Sequence, residues 1–283
     1  MKLVLLLFAA AVVATASSPS SVIPMSDTLV SVPPRTGYAP VNGLQLYFEV
    51  HGPERAGVLL HGGGDTIETS FGRILPALAR ERQVIAFEQR GFGHTADKGD
   101  RPFGFADSAD DTAALLEYLH VKQADLFGFS NGGSIALQVA MRHSAVVRRL
   151  IVCTAVMKRA WVPAPFWEAM KTAQPDSMPA PLREAYLKVA PHPENLEVFF
   201  YKCRNRMRDF QDVPDEAIRD IQARTLVLGS DRDVMPPESA VALFRLLPHA
   251  QLAILPGVSH MEITAETGVL ATIITKFLDP REG

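Results

Sequence analysis

Cysteine is scarce in this chain: Cys153 and Cys203 are the only two among 283 residues. A disulfide-held scaffold is therefore excluded, because such folds need several bridges to replace a core. Cys153 closes the apolar run Leu150-Ile151-Val152-Cys153, which reads as a buried strand where a thiol acts as a small hydrophobe. Cys203 falls in a segment of different character, so two free thiols are expected. An excess of one charge is also missing. Lys and Arg number 28 against 31 Asp and Glu, for a net charge of −3. That leaves no basic field of the kind that holds nucleic acid or anionic membranes, and neither partner is expected. The short cluster Lys202, Arg204, Arg206 and Arg208 reads as a solvated face. Histidine and cysteine never fall at zinc spacing, and no acidic run has a calcium-loop pattern. Neither a metal nor a cofactor is expected.

Long apolar runs are absent too, apart from Leu3 to Val13. That run falls short of the roughly 20 residues a spanning helix needs. Lys2 precedes it, and Ala14-Thr15-Ala16 supplies an A-x-A cleavage site before Ser17. Residues 1–16 thus read as a signal peptide, which implies a secreted or periplasmic chain with no stable membrane insertion after cleavage. No cysteine follows the cleavage site, so no lipid anchor is expected. Residues 17–35, rich in Ser and Pro, read as a flexible leader.

The remainder is 47% hydrophobic over the whole chain and 21% charged, enough for a large core. Short apolar runs alternate with helical patterns. Asn42-Gly43 signals a hairpin, and Leu46–Val50, Val58–Leu60, Val84–Phe87, Ala124–Phe127, Leu150–Cys153, Thr225–Gly229 and Leu252–Leu255 read as strands. Helical patterns cover Phe71–Leu78, a stretch capped by Asp107 and ending at Leu119, Gly133–Met141, Glu238–Leu247 and Ile263–Leu278. Strands alternating with helices predict an α/β fold with a mostly parallel, doubly wound sheet. The alternation stops between about Val156 and Asp220, where short helices and Pro-rich turns carry both tryptophans. The chain therefore divides into a core, residues 36–155 and 221–283, and a helical cap, residues 156–220.

The most informative stretch is Gly128-Phe129-Ser130-Asn131-Gly132, between an apolar strand and a helical pattern. G-x-S-x-G in that context is a nucleophile elbow, a tight turn that lifts a serine oxygen above the end of a sheet. The same turn sets Ser130 at a helix N-terminus, whose free N–H groups favour developing negative charge. A serine hydroxyl needs a base beside it and a group that holds the base. His260, in Pro256-Gly257-Val258-Ser259-His260 after the last strand, is the expected base. The other seven histidines read as loop, helix-end or surface residues. The carboxylate should follow the preceding strand, where both Asp231 and Asp233 stand.

With these residues the chain resembles the α/β-hydrolase superfamily, in its small bacterial serine esterase-like group, over roughly residues 37 to 280. His61-Gly62 after an early strand and Glu88-Gln89-Arg90-Gly91-Phe92-Gly93 add to the likeness. Glu88 stands where that family usually has Asp. The resemblance implies Asp233 as the orienting acid, because Ser230, Asp233 and Pro237 match the family's spacing and Asp231 does not. It likewise implies the backbone N–H groups of Gly63 and Asn131 as donors to an oxyanion. Serine at the elbow separates the chain from dehalogenase and epoxide-hydrolase relatives, which carry Asp there. The expected activity is cleavage of carboxylic esters of small apolar substrates through an acyl-enzyme. The alternatives are a carbon–carbon bond hydrolase or lactonase with the same triad, and a non-catalytic binding module. Trp161, Phe166 and Trp167, nearest the strand from which the cap departs, are the expected substrate-binding residues. Nothing in the pattern specifies an oligomeric state.

Overall fold

The computed structural model describes residues 33–53, 56–80 and 82–279. The expected signal peptide and nearly all of the leader lie outside them. Eight strands of the described residues form one sheet: β1 Arg35–Val41, β2 Leu44–His51, β3 Gly57–Leu60, β4 Val84–Phe87, β5 Ala124–Phe129, β6 Val147–Cys153, β7 Arg224–Arg232 and β8 Ala250–Ser259. Their order is β1-β2-β4-β3-β5-β6-β7-β8. The pairs β1/β2 and β2/β4 are antiparallel, and every later pair is parallel. Asn42 and Gly43 join β1 to β2 with φ of 49° and 76°, the left-handed pair that a tight hairpin requires. Strand β1 is not marked by sequence pattern, for a physical reason. It is an edge strand, half exposed and carrying Pro40, so it shows no strong apolar alternation.

Among the described residues ten α-helices accompany the sheet: α1 Ile67–Phe71, α2 Leu75–Leu78, α3 Phe105–Tyr118, α4 Asn131–Arg142, α5 Ala164–Thr172, α6 Ala180–Val189, α7 Leu196–Arg208, α8 Asp215–Arg219, α9 Pro237–Leu246 and α10 Thr267–Leu278. The single helix expected over Phe71–Leu78 is instead two. A reciprocal Thr66–Thr69 capping box starts α1 early, Gly72 closes it, and Pro76 sits in the first turn of α2. Asp107 does not cap α3. Gly104 holds that position, and Asp107 lies within the first turn, paired with Arg101.

The central strands are buried on both faces and sort their side chains by the two-residue period. Val58, Leu60, Ile85 and Leu126 pack with Leu115 and Leu116 of α3, Ile135 and Leu137 of α4, and Leu243 of α9. Leu59, Ala86 and Phe127 face the opposite side, against Phe71, Leu75, Ile274 and Phe277. Each central strand thus holds helices on both sides, which fixes the register of its carboxyl end. Helices α5, α6 and α7 fall between β6 and β7. The return to the main layer comes earlier than Asp220. Val213, Ile218 and Ile221 join the core beneath α4 and α9 because α8 turns its one apolar stripe to them.

Candidate active site

Strand β5 ends at Phe129, and Ser130 follows with φ 53° and ψ −119°, a conformation strained for any residue with a Cβ. The glycines around it are sterically obligatory. A Cβ on Gly128 would lie 2.1 Å from the Gly132 carbonyl oxygen, and one on Gly132 would lie 1.9 Å from the Leu60 carbonyl oxygen. Strand β3, elbow and α4 can approach one another only with bare backbone there. The Ser130 N–H donates to the Cys153 carbonyl at 2.8 Å, and the Ser130 carbonyl accepts from the Gly133 N–H at 2.9 Å. The turn is pinned on both sides.

The loops after β7 and β8 bring two further side chains to Ser130. His260 Nε2 lies 3.1 Å from Ser130 Oγ, and His260 Nδ1 lies 2.9 Å and 3.0 Å from the two carboxylate oxygens of Asp233. The Asp233 side chain is fully buried and also accepts the Met235 N–H at 2.9 Å. The carboxylate fixes the proton on Nδ1, so Nε2 faces Ser130 as an acceptor. The ring is further held against Phe129, centroid to centroid 5.0 Å. Burial is the largest influence on His260 and pulls its pKa down. The charge and hydrogen bond of Asp233, with the charge of Asp65, outweigh it and leave the pKa raised above 6.5. Asp231 turns elsewhere, its carboxylate accepting the Gly257 N–H at 2.6 Å and tying β7 to the turn in β8.

Gly63 and Asn131 follow neighbouring parallel strands and meet. A Cβ on Gly63 would lie 2.4 Å from Asn131 Nδ2. Among the described residues, neither backbone N–H has a hydrogen-bond acceptor. The loop that carries Gly63 is anchored from beneath by His61, which is fully buried rather than a loop-surface residue. His61 Nε2 accepts the Gln89 N–H at 3.1 Å, so Nδ1 carries the proton and donates to the Gly62 carbonyl at 2.9 Å. Burial drives the His61 pKa down to about 4, which keeps this arrangement neutral. Glu88 fills its own place soundly, accepting from the backbone N–H groups of His94 and Ile67.

A cavity opens above Ser130, and its wall is apolar. Phe129, Val156, Phe166, Met170, Leu182, Phe199, Phe200, Met207, Met235 and Met261 line it, with Asp65 and Arg204 as its charged members besides His260. Of the three aromatic residues expected to bind substrate, Phe166 lines this cavity and the two tryptophans do not. Trp167 is buried between α5 and α7. Its indole N–H donates to the Arg159 and Val162 carbonyls, Phe210 stacks on it, and the Arg159 guanidinium lies 4.1 Å from its ring. Trp161 packs on the main core and accepts a hydrogen bond from Ser239 through its carbonyl. A buried indole needs an acceptor for its N–H, and loop carbonyls rather than an open cavity provide one.

Helix α7 is likewise not a solvated basic face. Arg206 is buried and donates to the Phe103 carbonyl, Gln89 and Ser108, with the rings of Phe92, Phe103 and Phe105 around it. Burial drives its pKa down to about 10. Lys202 pairs with Asp97. Cys153 and Cys203 are free, and burial pushes the Cys203 thiol up to about 12, so it stays protonated at the cavity wall. Sequence reasoning did not single out Asp65 or the methionine-rich wall. The one signal for Asp65 was its place directly behind the triple glycine. Among the described residues, no group of three or more His, Cys, Asp or Glu could hold a metal, and no helix is long and apolar enough to cross a membrane.

A buried acid, a histidine and an elbow serine at the carboxyl edge of a parallel sheet define a hydrolase site of the α/β type. The chain belongs to the alpha/beta hydrolase family, whose model matches residues 58–270. It is 26% identical over 243 residues to the 2-hydroxymuconate semialdehyde hydrolase of Pseudomonas sp. (strain CF600), covering 78% of this chain and 86% of that one. It is 28% identical over 242 residues to the 2-hydroxy-6-oxo-2,4-heptadienoate hydrolase of Pseudomonas putida, covering 78% and 88%. The same fold recurs in a bacterial membrane phospholipase A, with TM-score 0.75 and 22% identity over 87% of this chain and 86% of that one. It recurs also in an enol-lactonase from Burkholderia xenovorans, with TM-score 0.67 and 20% identity over 85% and 99%.

Proposed function

We propose that this protein is a serine hydrolase that cleaves carboxylic esters of small apolar substrates through an acyl-enzyme. The observation that carries the reading is the unbroken hydrogen-bonded line Asp233–His260–Ser130 beneath an apolar cavity. Ser130 Oγ attacks the ester carbonyl carbon while His260 Nε2 takes its proton. The resulting oxyanion accepts from the Gly63 and Asn131 N–H groups, which have no other acceptor among the described residues. Asp233 stabilises the imidazolium that forms. Nε2 then gives its proton to the leaving alkoxide oxygen, and water repeats the sequence on the acyl group to free the acid and Ser130. Phe166 and the methionines suit an apolar acyl or aryl group, and the flexible thioethers adapt to its shape.

Carbon–carbon cleavage or lactone hydrolysis is the second reading, favoured by the names of the relatives. One of them is named for a dienoate, a carboxylate-bearing substrate. Against it stands the charge of this cavity. Its wall carries the Asp65 carboxylate, and the Arg204 guanidinium on that wall, although still charged, turns three of its N–H donors to the Ala173 carbonyl and Asn205 rather than to the cavity. We further propose export to the periplasm or medium, on the pattern of residues 1–16. A fluorophosphonate probe tests the nucleophile. Ser130 is labelled in the active protein, whereas absence of labelling refutes the serine mechanism. A panel of nitrophenyl esters, lactones and vinylogous diketones then ranks the substrate classes.

A further inference from the structure

Among the described residues Asp65 is the one acidic side chain on the cavity wall, and the reaction just described gives it no role. It is 3% exposed. One oxygen accepts the Thr69 hydroxyl at 2.8 Å, and the other lies against Gly62, where a Cβ would stand 2.4 Å from it. The side chain is therefore held two residues from Gly63, on the wall of the same cavity. Among the described residues no Lys or Arg forms an ion pair with it, and the positive groups on the same wall are Arg204 and, when protonated, His260. Across the cavity α7 presents the neutral Cys203 thiol and Arg204, whose guanidinium is tied to the Ala173 carbonyl and Asn205. The loop after β8 presents His260, already paired with Asp233 from the loop after β7. Helix α6 contributes the apolar Leu182, and the Glu88 carboxylate beneath α1 is turned to the Ile67 and His94 N–H groups.

We infer that Asp65 is a specificity-determining residue, a charge filter that rejects substrates carrying an anionic group and admits neutral ones. This rests on the ester-hydrolase reading above and deepens it. When ionised, Asp65 places a full negative charge in a cavity of low dielectric. Two unit charges about 7 Å apart at an effective dielectric constant near 20 repel enough to weaken binding roughly 50-fold. When protonated, it repels nothing. Burial, opposed by the Thr69 and Ser70 hydroxyls and by the charge of His260, raises the Asp65 pKa to about 6. The filter is therefore closed at neutral pH and opens in mild acid.

The test compares two esters that release the same chromophore, mono-4-nitrophenyl adipate and its methyl ester, between pH 5.5 and 7.5. The ratio of their kcat/KM values cancels the titration of His260, which must be neutral for both. In the wild-type protein the anionic-to-neutral ratio should fall about tenfold as pH rises through about 6, following the loss of the Asp65 proton. In Asp65→Asn the ratio should be high and independent of pH. A flat ratio in the wild type, with the neutral ester turned over, overturns the filter and leaves the hydrolase reading standing. Should Asp65→Asn not fold, the wild-type profile alone decides. Failure to hydrolyse either ester overturns the ester reading and the filter together.

Discussion

Replacing Asp233 by Asn tests the site most directly, because the structure fixes both how it fails and by how much. In the wild type both carboxylate oxygens lie within 3.0 Å of His260 Nδ1, and one also accepts the Met235 N–H. In Asp233→Asn the amide keeps its single oxygen on the Met235 N–H and turns its NH2 toward the ring. Nδ1 must then accept, the imidazole proton moves to Nε2, and Ser130 Oγ loses its base. In a comparable triad the same exchange costs about 10⁴ in kcat, and at 1.36 kcal/mol per decade that is roughly 5.4 kcal/mol of transition-state stabilisation. Asp231→Asn keeps an oxygen for the Gly257 N–H and should cost less than about threefold, within the scale of one weakened surface hydrogen bond. The pH profile gives a second sign. The wild-type acid limb falls where His260 gains a proton, above pH 6.5, because Asp233 raises its pKa against the pull of burial. Without that charge burial dominates, so the residual activity of Asp233→Asn should persist to more acid pH. Stopped assays on a nitrophenyl ester over pH 5 to 9, with circular dichroism as the folding control, measure both effects. More than a tenth of wild-type kcat in Asp233→Asn, or a worse lesion in Asp231→Asn, would refute the reasoning.

Ser130→Ala should lower kcat by about 10⁶ and abolish fluorophosphonate labelling with an unchanged melting temperature; residual activity above about a tenth would remove Ser130 from its role. Gly132→Ala drives a Cβ to 1.9 Å from the Leu60 carbonyl oxygen, which no side-chain motion relieves. It should cost about 3 kcal/mol or more, a loss of roughly 6–12 °C in melting temperature by calorimetry. Trp167→Ala should cost about 3–5 kcal/mol of stability with little change in the ranking of ester substrates, and Phe166→Ala should do the reverse. N-terminal sequencing of exported protein should begin at or near Ser17, and material still starting at Met1 would refute cleavage.

What the sequence determined by itself was everything that depends on local chemistry and short spacing. The buried strands were legible because a strand covered on both faces must be apolar throughout, as Val84–Phe87 is. Ser130 was legible because only glycines tolerate the contacts at positions 128 and 132, and His260 because it follows the last strand of an alternating pattern. Strand β1 was not legible, since an exposed edge strand has no need of an apolar run. The split between α1 and α2 was hidden because Gly72 and Pro76 interrupt a pattern that is continuous in hydrophobicity alone. Only the tertiary structure decided which way an aromatic side chain on or just before α5 faces. Trp161, Phe166 and Trp167 are equally apolar in the sequence. The cavity took Phe166 because carbonyls of Arg159 and Val162 claimed the Trp167 indole, and core packing claimed Trp161. Arg206 reads as one of four basic residues until Phe103, Gln89 and Ser108, distant in sequence, close around its guanidinium. Asp65 reads as a loop acid until the cap helices close over it and leave its carboxylate buried on the cavity wall. Burial and charge environment are properties of segments brought together, and no single segment carries them.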